Sequence, residues 1–328
     1  MKKIINKVDD ILDEMLAGFT YEHEYLVQLV PDTYVITAKY ADDTKVSLIS
    51  GGGSGHEPSH AGFVGKGMLS AAVCGQVFTS PTPDEVLAAI TNVPNENGVL
   101  LIVKNYSGDI MNFDMAKELA EDMDIQVEVV VVNDDIAVED STYTTGRRGV
   151  AGTVLVHKIL GAYADKGATL QELKAIGDHL VANMKTLGVA LKAATVPAVG
   201  KPGFELAEDE IEFGVGIHGE PGYRKAKIQA SEELAREILT KIKAELPLDD
   251  QGEYALLVNG LGGTPYMEQY VFLNDVKKLL AKNNVNVVYK KSGNLMTALD
   301  MTGLSLTVVK LEAGWLDALN HTVDTPAW

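Results

Sequence analysis

Three nearly uninterrupted runs of aliphatic and β-branched residues constrain this chain most: 45–50 (KVSLIS), 98–104 (GVLLIVK) and 126–132 (QVEVVVV). A strand that is apolar on both faces must be covered on both faces, which is the condition of parallel sheets in α/β proteins. Segments of helical length lie between the runs. Thr82-Pro83-Asp84-Glu85 supplies an N-cap, a proline and acids for the first turn, and leads into VLAAIT. The second run ends in Asn105-Tyr106-Ser107-Gly108-Asp109, and a helix follows with Met111, Met115, Leu119 and Met123 on one stripe, most simply read as core packing. Strand, helix, strand at this spacing predicts right-handed crossovers and a largely parallel sheet.

Two further helices are predicted at about 148–164 and 169–185, the second opened by Thr169 with Glu172 three residues on. From 188 to 222 the texture changes to short strands punctuated by Gly and Pro, so a boundary is placed near 185. A helix at about 229–245, a strand at 254–259, a turn at 260–265, a helix to about 282 and strands near 285–290 and 304–310 complete the reading. The expected fold is α/β with two domains, 1–185 and 186–328, each holding a largely parallel or mixed sheet flanked by helices.

A formal charge of −18 argues against a nucleic-acid or anionic-membrane surface. No apolar run approaches the ~20 residues of a spanning helix, and acidic Asp9, Asp10 and Glu14 interrupt any signal-peptide core. Cys74 is the single cysteine; set between Val73 and Gly75, it reads as core. The expectation is a soluble, cytoplasmic protein.

The stretch SGGGSGHEPSH, 50–60, contains an H-E-x-x-H pattern. Zinc binding by that pattern needs helix through all five positions, and Pro58 at the middle one lacks an N–H and biases Glu57 away from helix. The stretch is therefore read as a glycine turn at the carboxyl end of a strand, with no metal site. It is neither a nucleophile elbow, since position 56 is His, nor a Walker A loop, since Lys66 is followed by Gly67. No nucleotide signature is found elsewhere. In open α/β sheets ligands bind beyond such strand ends, so one crevice should collect Gly53, His56, Lys104 and Asp109. A second stretch, FGVGIHGEPG (213–222), places His218 after a glycine-spaced strand and repeats the His-(Gly)-Glu-Pro wording found at His56. The other histidines (His23, His60, His157, His179, His321) are read as surface or core.

In order along the chain, SGGGSGHEP, FTSPTPDEV, KNYSGDIMNF, TGRRGVAGTVLV, TVPAVGKPGF, EFGVGIHGEPG and ALDMTGLSLTV resemble the dihydroxyacetone-binding (DhaK type) subunits of dihydroxyacetone kinases over about 30–325. The resemblance implies a homodimer of two-domain α/β subunits that hold dihydroxyacetone as a hemiaminal on His218. It also implies substrate contacts from Gly53, His56, Phe78, Ser80, Lys104 and Asp109, with His56, Asp109 and His218 catalytic. This chain would bind no cofactor itself. A partner L subunit would bring ADP or ATP with magnesium, with ADP recharged by a phosphotransferase-system protein. The short tail resembles the separate-subunit form. One departure stands out: the family's Asp-Ala-Pro element before the glycine strand is replaced within 39–46 (KYADDTKV). A non-catalytic relative (DhaQ type) that binds the same ligand and acts as coactivator of a transcriptional regulator is the alternative.

Overall fold

The computed structural model describes residues 2–139 and 145–328. Its first sheet contains β1 (Val27–Leu29), β2 (Val35–Ala38), β3 (Ser47–Ser54), β4 (Ala71–Val77), β5 (Val99–Lys104) and β6 (Val127–Val132), in the order β1-β2-β4-β3-β5-β6. β4, β3, β5 and β6 run parallel, while β1 and β2 close one edge antiparallel. The apolar runs are explained by what covers them. Val99, Leu101 and Val103 pack with α2 (Pro83–Thr91) and α3 (Ser107–Glu121). Leu100 and Ile102 point the other way, toward α4 (Gly152–Asp165) and α5 (Leu170–Ala182). Strand periodicity of two thus feeds two cores.

The second sheet is mixed, with β7 (Met184–Lys192), β8 (Glu210–Phe213), β9 (Arg224–Lys227), β10 (Glu253–Gly260), β11 (Asn286–Gly293) and β12 (Thr302–Leu311) in the order β11-β10-β12-β7-β8-β9. Only β10 and β11 are parallel. α6 (Ser231–Glu245) and α7 (Tyr266–Ala281) cover one face through Leu234, Ile238, Phe272 and Val276. Ala255, Leu257 and Val309 on the opposite face join the core shared with the first sheet. α4 is buried along nearly its whole length because it lies between the two sheets and is crossed by α8 (Trp315–Leu319). The chain end then returns to the first sheet: Asp324 donates its N–H to Lys66 O and Ala327 to Gly62 O.

Several expectations are corrected. The stripe Met111, Met115, Leu119 and Met123 faces solvent, at 41–60% exposure, and α3 buries Asp109, Phe113, Ala116 and Ala120 instead. The small alanines let α3 approach its neighbours closely, which outweighs the larger apolar area of the methionines. The strands expected between 188 and 222 reduce to the end of β7 and to β8. The N-terminal helix α1 (Ile11–Glu22) and strands β1, β2 and β4 complete the first half. Among the described residues no helix is long and apolar enough to cross a membrane.

Candidate functional site

β3 carries its glycines to the carboxyl edge of the first sheet, and two of them are required by what lies against them. A Cβ at Gly52 would sit 2.5 Å from Lys104 Nζ, and one at Gly53 would sit 2.5 Å from the Thr79 backbone N. The strand then turns without forming a helix, so His56 and His60 point to different places. Among the described residues no three His, Cys, Asp or Glu side chains converge as a metal site would require.

His56 is buried. Its Nδ1 lies 2.7 Å from Thr297 O, and its Nε2 lies 3.0 Å from His218 Nε2. Phe78, held at φ 54°, stacks on the His56 ring at 4.9 Å. His218 stands edge-on to Phe78 and to Tyr106. The Glu220 carboxylate grips His218 twice, accepting from the backbone N–H at 3.0 Å and meeting ring Nδ1 at 3.1 Å. The His-(Gly)-Glu-Pro wording therefore encodes a local device. Glu57 likewise accepts from the N–H two residues earlier, that of Gly55.

Proton counting follows from these contacts. Thr297 O can only accept. Glu220 is an acceptor too: burial would raise its pKa, but the hydrogen bond and charge of His218, with Arg148 nearby, hold it below the usual glutamate value. Three hydrogen bonds across two rings then need three ring protons, one more than two neutral imidazoles carry. Burial, with His218 and Lys104 close by, keeps His56 well below the usual histidine range. The pair as a whole therefore holds one proton beyond two neutral rings, with the Glu220 carboxylate beside it.

Behind this pair, Arg148 is fully buried and donates to Asp135 Oδ2 at 2.8 Å and to Gly214 O at 2.7 Å. It ties the loop after β6 to the turn that presents His218. Replacing Arg148 with Met should leave Asp135 buried without its partner and cost about 3–5 kcal/mol of stability, read by chemical denaturation.

Lys104, at the end of β5, is buried and lies 3.9 Å from Asp109 Oδ2 in the first turn of α3. Burial pushes Lys104 below the usual lysine range, opposed by Asp109. Asp109 Oδ1 and Tyr106 OH are buried and, among the described residues, have no hydrogen-bond partner, which leaves them open to a ligand or water. Ser80 flanks the start of α3, its Oγ close to where a Cβ on Gly108 would lie. Gly53, His56, Phe78, Ser80, Lys104, Asp109 and His218 thus gather where the carboxyl edge of the first sheet meets the β8–β9 turn. Glu220, Arg148, Tyr106 and Thr297 join them unannounced by the sequence reading, although the His-x-Glu spacing was a usable signal for Glu220. Cys74 is buried, and its thiol is pushed up to about 12 by burial, so it has no reactive character. The divergent segment 39–46 lies at the opposite end of β3, where Lys45 bridges Asp42 and Asp165.

Two α/β layers thus present a paired, carboxylate-held imidazole beside Lys104 and Asp109. The chain belongs to the Dak1 domain family, whose model matches residues 17–327. It is 58% identical over 328 residues to the dihydroxyacetone-binding subunit DhaK of a PTS-dependent dihydroxyacetone kinase from Lactococcus lactis, covering 100% of this chain and 99% of that one. It is 44% identical to the DhaKLM operon coactivator DhaQ of the same organism, covering 99% of this chain and 100% of the relative. Among solved structures it resembles a DhaQ co-activator (TM-score 0.92, 42% identity, 98% and 99% of the two chains). It also resembles the Citrobacter freundii dihydroxyacetone kinase in complex with AMP-PNP and Mg2+ (TM-score 0.92, 37% identity, all of this chain and 60% of that one).

Proposed function

We propose that this chain binds dihydroxyacetone as a hemiaminal on His218 and presents it, in the cytoplasm, to a nucleotide-carrying L subunit for phosphorylation. The observation that carries the reading is the chain Thr297–His56–His218–Glu220, which holds His218 by its Nδ1 and sets its Nε2 against His56. In the binding step the proton between the rings settles on His56 Nε2, the lone pair so freed on His218 Nε2 bonds to the ketone carbon, and the C=O π pair moves onto oxygen. That oxygen takes the proton held between the two rings, giving a neutral hydroxyl. The substituted imidazole then carries the positive charge against Glu220, so protons and charge balance without an outside acid. A ketone forms this bond and an alcohol does not, which would separate dihydroxyacetone from glycerol. Glu220→Gln removes the charge facing the cationic ring, and affinity for dihydroxyacetone should fall roughly tenfold or more by calorimetry.

Once the substrate is fixed, Asp109 or His56 would accept the proton of the hydroxyl that attacks phosphorus, and Lys104 would offset developing negative charge. Gly53, Phe78 and Ser80 would shape the pocket. Nucleotide and magnesium belong to the partner in this reading, either ATP as direct donor or an ADP recharged by a phosphotransferase-system protein. The chain itself would act as a homodimer of subunits divided near residue 185.

A second reading has its own support, since the coactivator DhaQ resembles this chain over almost its whole length. The higher identity to a kinase subunit favours the first. A reconstituted assay separates them: this chain, a charged L subunit and dihydroxyacetone, following dihydroxyacetone phosphate. Turnover supports the kinase subunit. Tight binding without product, while an authentic kinase subunit turns over in parallel, supports the coactivator.

A further inference from the structure

The second histidine of HEPSH is unused by the chemistry above, yet it is among the most constrained side chains in the protein. His60 is buried, and its Nε2 lies 2.9 Å from Lys104 Nζ. Its Nδ1 lies 2.9 Å from Nε2 of His157 on α4, which is completely buried. Ser50 Oγ stands 3.4 Å from the same Nδ1, but its hydroxyl donates to Ile102 O. His157 Nδ1 is buried and meets no hydrogen-bond partner among the described residues. The result is a chain, Lys104–His60–His157, with Ser50 Oγ as a longer second acceptor beside His60 Nδ1, leading from the cleft into the core between the sheets.

An ammonium has three donors and no acceptor. Lys104 uses one on Gly51 O at 3.1 Å and one on His60 Nε2, which leaves the third for the side where Asp109 Oδ2 lies 3.9 Å away. Donation by Lys104 obliges His60 to accept at Nε2 and carry its proton on Nδ1. His157 must in turn accept at Nε2 and carry its proton on Nδ1. Each ring then holds one proton, as buried neutral imidazoles should. Burial and Lys104 hold both rings below the usual histidine range, His157 at about 3.

We infer that His60, backed by His157, is a positioning residue for Lys104: it fixes one N–H of the amine so that the remaining one is aimed at the reacting end of the cleft. The inference deepens the proposed dihydroxyacetone reading and rests on it for its functional arm. The charged and titratable groups facing the chain are few: Lys104 itself, Asp109 from α3, and His56 from the glycine loop.

The test uses the full chain with His60→Leu, which removes the acceptor, and His60→Gln, which returns an amide oxygen at about the reach of Nε2. Ring-nitrogen NMR on 15N-histidine-labelled protein needs no ligand. His60 should show a protonated Nδ1 and an accepting Nε2, and the Nε2 signal should move in Lys104→Met. In dihydroxyacetone titrations His60→Leu should weaken binding about tenfold, the worth of one charge-assisted hydrogen bond, while the His218 adduct still forms; His60→Gln should restore most of the affinity. A protonated Nε2 on His60, or equal affinity in wild type and His60→Leu, would overturn the inference. So would a His60→Gln variant as impaired as His60→Leu, because loss of packing alone would then explain both. Failure of wild type to form any adduct would instead defeat the dihydroxyacetone reading, and the tautomer result would still decide the role of His60.

Discussion

Replacing His218 with alanine should abolish tight binding of dihydroxyacetone, by at least ~10²-fold or about 3 kcal/mol, and should remove any covalent adduct detected by mass spectrometry of the intact chain. The size of the effect follows from how completely the ring is committed. Its Nδ1 and backbone N–H are both held by Glu220, the rings of Phe78 and Tyr106 stand nearly perpendicular to it, and its Nε2 lies against His56. Such restraint aims one lone-pair position at one point, and the entropy of orienting the nucleophile is spent on folding rather than on binding. Alanine removes the bond-forming atom and leaves the buried Glu220 carboxylate without its ring partner. The effect holds whether the chain is a kinase subunit or a coactivator, and unchanged affinity would end the covalent reading.

Asp109→Asn should separate binding from turnover. In the reconstituted assay the rate should fall ~10²-fold or more, the typical worth of a positioned general base, while affinity for dihydroxyacetone changes little by comparison with His218→Ala. The motive is geometric. Asp109 sits in the first turn of α3, where the helix N-terminus favours a carboxylate, and one of its oxygens is buried with no hydrogen-bond partner among the described residues. The asparagine variant keeps the shape and removes the base. A turnover rate within about threefold of wild type would transfer that role to His56, the other candidate acceptor in contact with the nucleophilic ring.

Much of this arrangement was legible because it is written in local physics. The apolar runs at 98–104 and 126–132 became β5 and β6, of which β5 is buried on both faces while β6, at the sheet edge, exposes Val131. Pro58 argues against one helix through the HEPSH stretch, and the chain there forms turns followed by a 3-10 helix at Ala61–Phe63. The capping boxes at Thr82 and Thr169 stand where the sequence put them. What escaped was decided by distant partners. The methionine stripe on α3 carries the right period for a core face, but Phe113, Ala116 and Ala120 fit the space beside α2 and the sheet more closely. His60 and His157 are 97 residues apart, and nothing in either neighbourhood signals the other. Arg148 was hidden for the same reason: its partners Asp135 and Gly214 come from different halves of the chain. The glutamate two residues after His218 is the exception, a local signal that could have been read as a ring-orienting carboxylate.

The central claim is that His218 bonds to a ketone carbon. Carbon-13 NMR of the full chain with dihydroxyacetone labelled at its carbonyl carbon tests it directly. A bound signal that leaves the ketone region for the tetrahedral region in wild type, and is lost in His218→Ala, is the predicted result. A bound ligand whose labelled carbon stays in the ketone region would contradict it.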